Sequence, residues 1–368
     1  MTLAPVESHV SEMERLEYYL EEIYCLSERV EAFRKNKLYT LEIELSRQCN
    51  LECIYCYNAS TKKNGQHVDP RRCMELLDEA NEYGIKEIYW LGGETLLYPF
   101  IEDILCYSKT IGLRNIVFTN GTCFDNDIVR LLNDTTDWLV LHLDTLDPTL
   151  YAQLHNLTVK ESENVLNIIL EGVDLLLSSG FPSTRIRISV VLSRLSLPTL
   201  DKTLNWARNT KCFHSSILIC PVALGRSKTS HEDIILSEDD IHYAYTCRSH
   251  IENRPELLKL GSSEFCKHYE LTNCYIDVSG NVCPYVGIQG SAGNAYKSNI
   301  GDILFDNYPY LSFQNAVDKS SYKNKLEGKC GSCNNQQYCF GTRTYSFLQG
   351  DGLSSSPHCW ETVIDIKE

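Results

Sequence analysis

A regular alternation of strand and helix patterns across residues 39–225 constrains the fold of this chain more than any other feature. The segment "YTLEIELS" (39–46) alternates with a period of two residues and predicts a strand, and "DPRRCMELLDEANEY" (69–83) predicts a helix that ends at Gly84. The pairing recurs, with further strands predicted at 86–93, 115–121, 138–144, 185–192 and 215–222 and helices at 100–112, 125–134, 162–180 and 197–209. Such units indicate an α/β fold with a mainly parallel sheet and helices outside it. Six units are too few for a closed eight-stranded barrel, so a partial barrel and a doubly wound sheet both remain open.

The segments on either side of this alternation have a different character. Apolar residues recur at helical spacing over 7–36, so a helical N-terminal segment is expected at 1–38. A helical, acidic bridge is expected at 226–262. Residues 263–368 carry seven cysteines, many glycines and only short strand patterns. Irregular segments of this kind bury little apolar surface alone, which favours a second, loop-rich domain held by metal.

Charge and hydropathy narrow the set of partners. The formal net charge is −15, which disfavours binding to nucleic acid or to an anionic membrane because both require a basic surface. No apolar run approaches the ~20 residues that a spanning helix needs. The N-terminus is acidic and lacks the apolar region of a secretory signal. We therefore expect a cytoplasmic protein without nucleic-acid or membrane partners.

Three of the 17 cysteines, Cys49, Cys53 and Cys56, stand within eight residues directly after the first predicted strand. Sites in parallel βα folds are built at that end of the strands. A structural zinc site usually takes four ligands, but no fourth cysteine or histidine is near, His67 being the closest histidine. Three thiolates on a four-iron cube would leave one iron open to an exogenous ligand.

At these residues the chain resembles a known family. "CNLECIYC" resembles the C-x₃-C-x-Φ-C signature of the radical S-adenosylmethionine (SAM) superfamily, with Tyr55 as the aromatic position. "LGGET", at the end of the next strand, resembles the family's GGE motif. "FTNGT" and "LHLDTLD", after the third and fourth strands, resemble segments that line the SAM pocket. The resemblance covers most of residues 39–225 and implies a partial (β/α)₆ TIM-like barrel.

The resemblance also implies cofactors and roles. Cys49, Cys53 and Cys56 would hold a [4Fe–4S] cluster whose open iron chelates SAM, and one electron from a donor such as flavodoxin or ferredoxin would give a 5′-deoxyadenosyl radical. The backbone at Gly92 and Gly93 and the carboxylate of Glu94 would hold the SAM amino group, while Tyr55 would approach the adenine. Asn120 and Asp144 are further candidates for SAM contacts, with a turn asparagine and a strand-end cap as the structural alternatives.

A second cysteine group lies near the C-terminus. "KCGSCNNQQYC" is C-x₂-C-x₅-C, and Cys359 follows it; these thiols could bind zinc or an iron–sulfur cluster. Beside a radical SAM core the region resembles the SPASM extension, a loop-rich α+β domain with up to two auxiliary [4Fe–4S] clusters. Cys330, Cys333, Cys339 and Cys359 match the ligands of the distal auxiliary cluster.

The match to the proximal auxiliary cluster is incomplete. Cys266, Cys274 and Cys283 are its candidate ligands, but Arg343 stands where the family has the fourth. Two interpretations follow: a three-thiolate cluster that takes another ligand, Cys247 being one candidate, or cysteines that only pack. We favour the first, because three cysteines in 18 residues exceed any packing need.

The resemblance specifies the radical generator but not the substrate. SPASM enzymes mostly act on peptides, so we expect oxidative maturation of a ribosomally synthesised precursor peptide (RiPP) by cross-linking, dehydrogenation or epimerisation. The alternatives are a dehydrogenase or epimerase of a small molecule such as an aminosugar, and a sulfatase-maturase-like oxidase of a protein Cys or Ser. A non-catalytic iron–sulfur or zinc protein is a third class, against which the intact cysteine set and Glu94 argue. No catalytic acid or base can be chosen from the sequence.

Overall fold

The computed structural model describes most of the chain. The described residues are 11–212, 214–219 (backbone only), 225, 234–263, 265–288, 290–321, 323–343, 346–347, 350, 352–356 and 358–360. Parts of four predicted segments therefore lie outside the described residues: 1–10 of the N-terminal segment, 220–222 of the sixth strand, 226–233 of the bridge, and short stretches of the C-terminal domain, including 361–368.

The N-terminal segment forms two helices, α1 (Glu12–Tyr24) and α2 (Leu26–Arg34), where the helical pattern predicted one run. The break falls at Cys25, whose left-handed backbone (φ 50°) ends α1 and begins α2. Arg29 of α2 is fully buried and donates to Thr40 and to the carboxylate of Glu87, which ties the helix to the start of the sheet.

All six predicted strands of the alternation are present and parallel, which confirms the predicted α/β fold. They are β1 (Thr40–Glu44), β2 (Glu87–Leu91), β3 (Arg114–Thr119), β4 (Trp138–His142), β5 (Ile186–Leu192) and β6 (His214–Ile219). Their spatial order follows the chain from β1 to β6. A doubly wound sheet would reverse its order part-way, so the arrangement is the partial barrel.

Helices cover the outer face of this sheet: α3 (Pro70–Tyr83), α4 (Ile101–Thr110), α5 (Asn126–Thr135), α6 (Pro148–His155), α7 (Val159–Ser178) and α8 (Leu200–Asn209). Gly84 ends α3 with φ 110°, as the sequence predicts. The periodicity did not reveal α6, a two-turn helix capped by the Asp147 carboxylate, which accepts from the Thr149 and Leu150 amides. The helices bury Leu76, Ile104 and other apolar side chains against the outward residues of the strands.

The C-terminal region continues the same sheet. It contains α9 (Glu238–Glu252), a 3₁₀ helix (Pro255–Leu260), α10 (Lys267–Leu271), β7 (Asn273–Ile276), β8 (Asn281–Cys283), β9 (Gly293–Asn294), α11 (Ile300–Asp306), α12 (Tyr308–Leu311), β10 (Val317–Asp318), β11 (Lys323–Asn324) and α13 (Gly328–Ser332). Strand β7 pairs in parallel with β1, and β8 and β9 follow it in antiparallel order. Among the described residues, no helix is both long and apolar enough to cross a bilayer.

Candidate active site

A cavity of about 300 Å³ opens at the carboxyl ends of β2 to β5. Cys49, Cys53 and Cys56 all line it, so the structure brings the three predicted cluster ligands to one space. Gly92, Gly93, Asn120 and Tyr55 line it too. The cavity therefore unites most of the residues that the sequence selects from four separate loops.

Each of the three thiols has a hydrogen-bond partner. The Leu51 amide donates to Cys49 Sγ (3.5 Å) and the Ser60 amide to Cys56 Sγ (3.4 Å). Cys53 Sγ lies 3.1 Å from His155 Nδ1. Donors around sulfur suit thiolates that hold an iron–sulfur cluster, because they compensate negative charge on the ligands.

Gly92 and Gly93 allow the end of β2 to approach the cysteine loop closely. A Cβ at Gly93 would lie 2.1 Å from the Gln48 carbonyl oxygen, and one at Gly92 would lie 2.8 Å from that of Ser46. In this arrangement the Gly93 amide donates to Ser46 O (2.7 Å) and the Glu94 amide to Gln48 O (2.9 Å). Only glycine fits both positions, so the pair fixes the loop that carries the cysteines.

Glu94 is fully buried next to this turn and is not one of the residues that line the cavity. Its carboxylate accepts from Thr119 Oγ1 (2.7 Å), the Asn120 amide (2.7 Å) and the Leu96 amide (3.0 Å), and burial raises its pKa. A carboxylate has room for about four donors, so one more can still bind. The predicted contact with the SAM ammonium stays a prediction.

Tyr55 and Asp144 form a buried network at the opposite wall. The Tyr55 hydroxyl donates to the Asp144 carboxylate, which also accepts from the Val191 amide (2.7 Å). His142 Nε2 and His155 Nε2 lie 3.6 and 3.5 Å from the same carboxylate. Burial alone would raise the pKa of Asp144, but the two histidines and the Tyr55 hydroxyl lower it. Asp144 thus serves this structure as a buried carboxylate that binds the Tyr55 hydroxyl and lies next to two cavity histidines.

The four predicted distal ligands surround one small cavity. Cys330, Cys333, Cys339 and Cys359 line a space of about 20 Å³, and backbone amides donate to three of the sulfurs. A Cβ at Gly261 would lie 3.3 Å from Cys359 Sγ and 3.7 Å from Cys339 Sγ. Four thiols around one space fit the ligand set of a [4Fe–4S] cluster.

A family model of the radical SAM superfamily matches residues 43–207, the range that contains the three-cysteine loop and the Gly92–Glu94 turn. Residues 43–207 are a radical SAM domain. The chain is therefore a radical SAM enzyme, and its cofactors are SAM and [4Fe–4S] clusters.

Two curated relatives of this radical SAM enzyme match over most of their length. The AdoMet-dependent heme synthase of Methanosarcina barkeri is 25% identical over 345 residues, which cover 86% of this chain and 94% of the relative. The S-adenosylmethionine-dependent nucleotide dehydratase of Flammeovirga pacifica is 21% identical over 295 residues, which cover 78% and 92%.

Two solved structures share the fold of this radical SAM enzyme. SuiB of Streptococcus suis, bound to precursor peptide SuiA, gives a TM-score of 0.66 at 17% identity over 98% of this chain and 84% of that one. The enzyme anSMEcpe, with bound AdoMet and the Cp18Cys peptide, gives 0.61 at 17% identity over 87% and 93%. The coverage extends the likeness of fold from the partial barrel into the C-terminal region.

The structure does not bring the three predicted proximal ligands together. Cys274 is paired with Leu41 of β1, and it lies fully buried in the core that the outer helices cover. Cys283 is paired with Tyr275, so it shares the opposite face of the sheet. Cys266 precedes α10 as its N-cap, where its backbone pairs with that of Cys339, one of the four distal cysteines, in an isolated antiparallel β-bridge. These positions do not fit one shared cluster.

Neither Cys247, the candidate fourth ligand, nor Arg343, which stands where the family has that ligand, completes a proximal site. Arg343 is buried and donates to the Gly352 and Ser354 carbonyls (2.8 and 3.0 Å), with Nη2 3.6 Å from Cys330 Sγ. Cys247 packs against the apolar cluster of α8 and α9. Across the part of the chain that the structure describes, no three Cys, His, Asp or Glu side chains converge on a single-ion site. A four-iron cube, whose thiolates bind different irons, does not require such convergence.

The C-terminal region supplies the cavity wall that sequence reasoning missed. Phe265, Tyr269, Glu270 and Tyr285 line the cavity together with the barrel residues, as does Glu42. The sequence could have indicated Glu42, because the segment "LEIEL" places Glu42 and Glu44 two residues apart in a buried strand. Side chains at this spacing share one face of the sheet, here the interior of the barrel. The loop residues of the wall carry no comparable pattern.

Two carboxyl groups and many aromatic rings determine the chemistry of this wall. Glu42 accepts from Tyr269 Oη (2.9 Å) and Asn273 Nδ2 (2.6 Å). Glu270 Oε2 has no hydrogen-bond partner among the described residues, and burial raises the pKa of this group to about 8. The aromatic lining consists of Tyr55, Tyr57, Phe118, Tyr151, Tyr245, Phe265, Tyr269 and Tyr285. No lysine or arginine is among the described residues that line the cavity.

Proposed function

We propose that this protein is a SPASM-type radical SAM enzyme that removes hydrogen from a residue of a ribosomally synthesised precursor peptide and completes an oxidative modification. The observation that carries the proposal is the lining of the cavity, which is aromatic and contains carboxyl groups but no lysine or arginine among its described residues. A phosphorylated substrate would need cationic partners there, whereas a peptide side chain does not.

The cofactors would be held by the residues that meet at the two cavities. Cys49, Cys53 and Cys56 would hold the SAM-binding cluster, and SAM would contact Gly92, Gly93, Glu94, Asn120, Tyr55 and Asp144. Cys330, Cys333, Cys339 and Cys359 would hold one auxiliary cluster. Bound SAM and its cluster supply the radical, with an electron from a donor such as flavodoxin or ferredoxin. The aromatic wall would exclude water from the reacting atoms.

The solved structures support a peptide substrate through their fold. Both SuiB and anSMEcpe were solved with a peptide bound, and both share the partial barrel and the region that closes this cavity. The modification would be a cross-link, a double bond or an epimerised centre. Alternatively, the target would be a Cys or Ser of a protein, as for a sulfatase-type maturase.

A small-molecule substrate is the second candidate. It is favoured by the match to the AdoMet-dependent heme synthase, which extends over 94% of that relative. An aminosugar would suit the carboxyl groups of the wall, since its ammonium would find acceptors there.

The test is a coupled turnover assay with the anaerobically reconstituted enzyme, SAM and dithionite. We expect a short peptide encoded beside this gene to lose the mass of two hydrogens, or to gain solvent deuterium at one residue, in step with 5′-deoxyadenosine release. Aminosugars and nucleotides serve as the comparison substrates. Turnover of a small molecule, with every neighbouring peptide unchanged, would overturn the peptide assignment.

A further inference from the structure

The contact at Cys53 involves an imidazole, whereas those at the other two thiols of the loop involve amides. Cys49 accepts from the Leu51 amide (3.5 Å) and from Asn120 Nδ2 (3.8 Å), and Cys56 pairs with the Ser60 amide (3.4 Å) and with Asn58 Oδ1 (2.9 Å). Cys53 Sγ lies 3.1 Å from the imidazole of His155, 102 residues away on α6. An imidazole from a separate helix therefore reaches this thiol at a shorter distance than the Asn120 side chain reaches Cys49.

His155 is held firmly in the position that makes this contact. Its side chain is 3% exposed, and the Tyr151 ring packs against it with centroids 3.9 Å apart. Its other nitrogen, Nε2, lies 3.5 Å from the Asp144 carboxylate. The ring thus spans the distance between a buried carboxylate and the Cys53 sulfur.

His142 offers an internal comparison. Its Nε2 lies 3.6 Å from the same carboxylate, and it lines the same cavity. Within the described part of the chain, His142 makes no hydrogen bond to a cysteine. The two histidines therefore share a buried anion and a cavity, but only one of them reaches a cluster ligand.

The chemistry of the contact follows from the ligand state of Cys53. A thiolate bound to iron has no proton to give, so the facing nitrogen acts as the donor. Reduction adds negative charge to an iron–sulfur cluster, and hydrogen bonds to its sulfurs stabilise that charge and help to set its potential.

We propose that His155 donates an Nδ1–H hydrogen bond to the Cys53 thiolate and so raises the reduction potential of the SAM-binding cluster, with Tyr151 packed against the ring. His155 is then a positioning residue that acts through Cys53. The proposal rests on the assignment of Cys53 as a cluster ligand, which is part of the proposed function, but not on the identity of the substrate.

The test is an EPR-monitored potentiometric titration of the reconstituted full chain. The SAM-binding cluster is recognised as the signal that changes when SAM is added. Compared with the wild type, His155→Leu should shift this signal to a more negative potential. His155→Asn, whose amide can donate from a similar place, should restore part of the shift, and the matched control His142→Leu should leave the potential unchanged.

Pulsed EPR supplies a second readout that a purely structural role would not move. The spectrum of the reduced wild-type cluster should show a hyperfine coupling to a histidine nitrogen. This coupling should be absent in His155→Leu, and in the wild type it should change on ¹⁵N labelling as expected for nitrogen. An unchanged potential in His155→Leu, or an equal shift in His142→Leu, would overturn the proposal. None of these measurements needs turnover, so a wrong peptide assignment would not affect them.

Discussion

Cys274 and Cys283 lie on neighbouring strands but on opposite faces of the sheet, since Cys274 is paired with Leu41 and Cys283 with Tyr275. The first thiol faces the core under the outer helices, and the second faces the side of Glu42 and Glu44. The thiolates of one [4Fe–4S] cluster must all reach the same cube, which two thiols separated by the sheet do not do.

Iron content tests this separation. We expect about eight irons per chain after anaerobic reconstitution, which corresponds to the SAM-binding cluster and one auxiliary cluster. Cys283→Ser should leave the iron content unchanged. About twelve irons per chain, falling by about four in Cys283→Ser, would show that a proximal cluster forms although Cys274 and Cys283 lie on opposite faces of the sheet.

The distal site should lose its cluster when two of its four ligands are removed. Cys330→Ala together with Cys333→Ala leaves two thiols around the small cavity, so we expect about four fewer irons per chain, while the SAM-responsive EPR signal stays. The matched control is Cys106→Ser, because Cys106 is exposed on α4 and faces neither cavity. If the wild-type chain held zinc at the distal site instead of these irons, the assignment of an iron–sulfur cluster would be contradicted.

Gly93 should tolerate no side chain. Gly93→Ala would place a Cβ 2.1 Å from the Gln48 carbonyl oxygen, so the cysteine loop must shift. Overpacking of this kind costs about 1–3 kcal/mol, and we expect a lower urea midpoint together with weaker SAM binding. Gly65→Ala is the control, since a Cβ there meets nothing within 4 Å. Equal urea midpoints for the two variants would show that the glycine turn is not required.

The buried carboxyl of Glu270 should make stability depend on pH. Burial raises its pKa from 4.5 to about 8, so between these values the folded chain holds a proton that the unfolded chain has released. The contribution of this group to the free energy of unfolding therefore falls as the pH rises through that window. Glu270→Gln removes this dependence of stability on pH. The melting temperature of the variant minus that of the wild type should therefore increase from about pH 5 to about pH 8. A constant difference would mean that Glu270 ionises normally in the folded protein.

The sequence predicts the barrel well because each of its elements repeats a local pattern. Strands with a period of two and amphipathic helices are visible in single segments, and Gly84 ends α3 where its position indicates. The three-cysteine loop is equally local, so its place at the end of β1 follows from the order of the elements alone.

What the sequence does not predict depends on contacts between distant segments. The pairing of β7 with β1 joins residues more than 230 positions apart, and no pattern in either strand names its partner. The opposite faces of Cys274 and Cys283 depend on that register. His155 was missed for a related reason, because the short helix α6 that carries it has a cap but no long apolar repeat.

The pairing of β7 with β1 also bears on how this enzyme can be recombined with its relatives. The C-terminal wall of the cavity and the strand that carries Glu42 and Glu44 are linked by main-chain hydrogen bonds and by Tyr269, Asn273 and Tyr275, which donate to those carboxylates. A chimera joined between the two regions would deprive Glu42 of the donors Tyr269 and Asn273, while Glu44 would, among the described residues, keep only those from Asn58 and Arg47. Exchange of substrate specificity between such enzymes must therefore transfer β1 together with the C-terminal region.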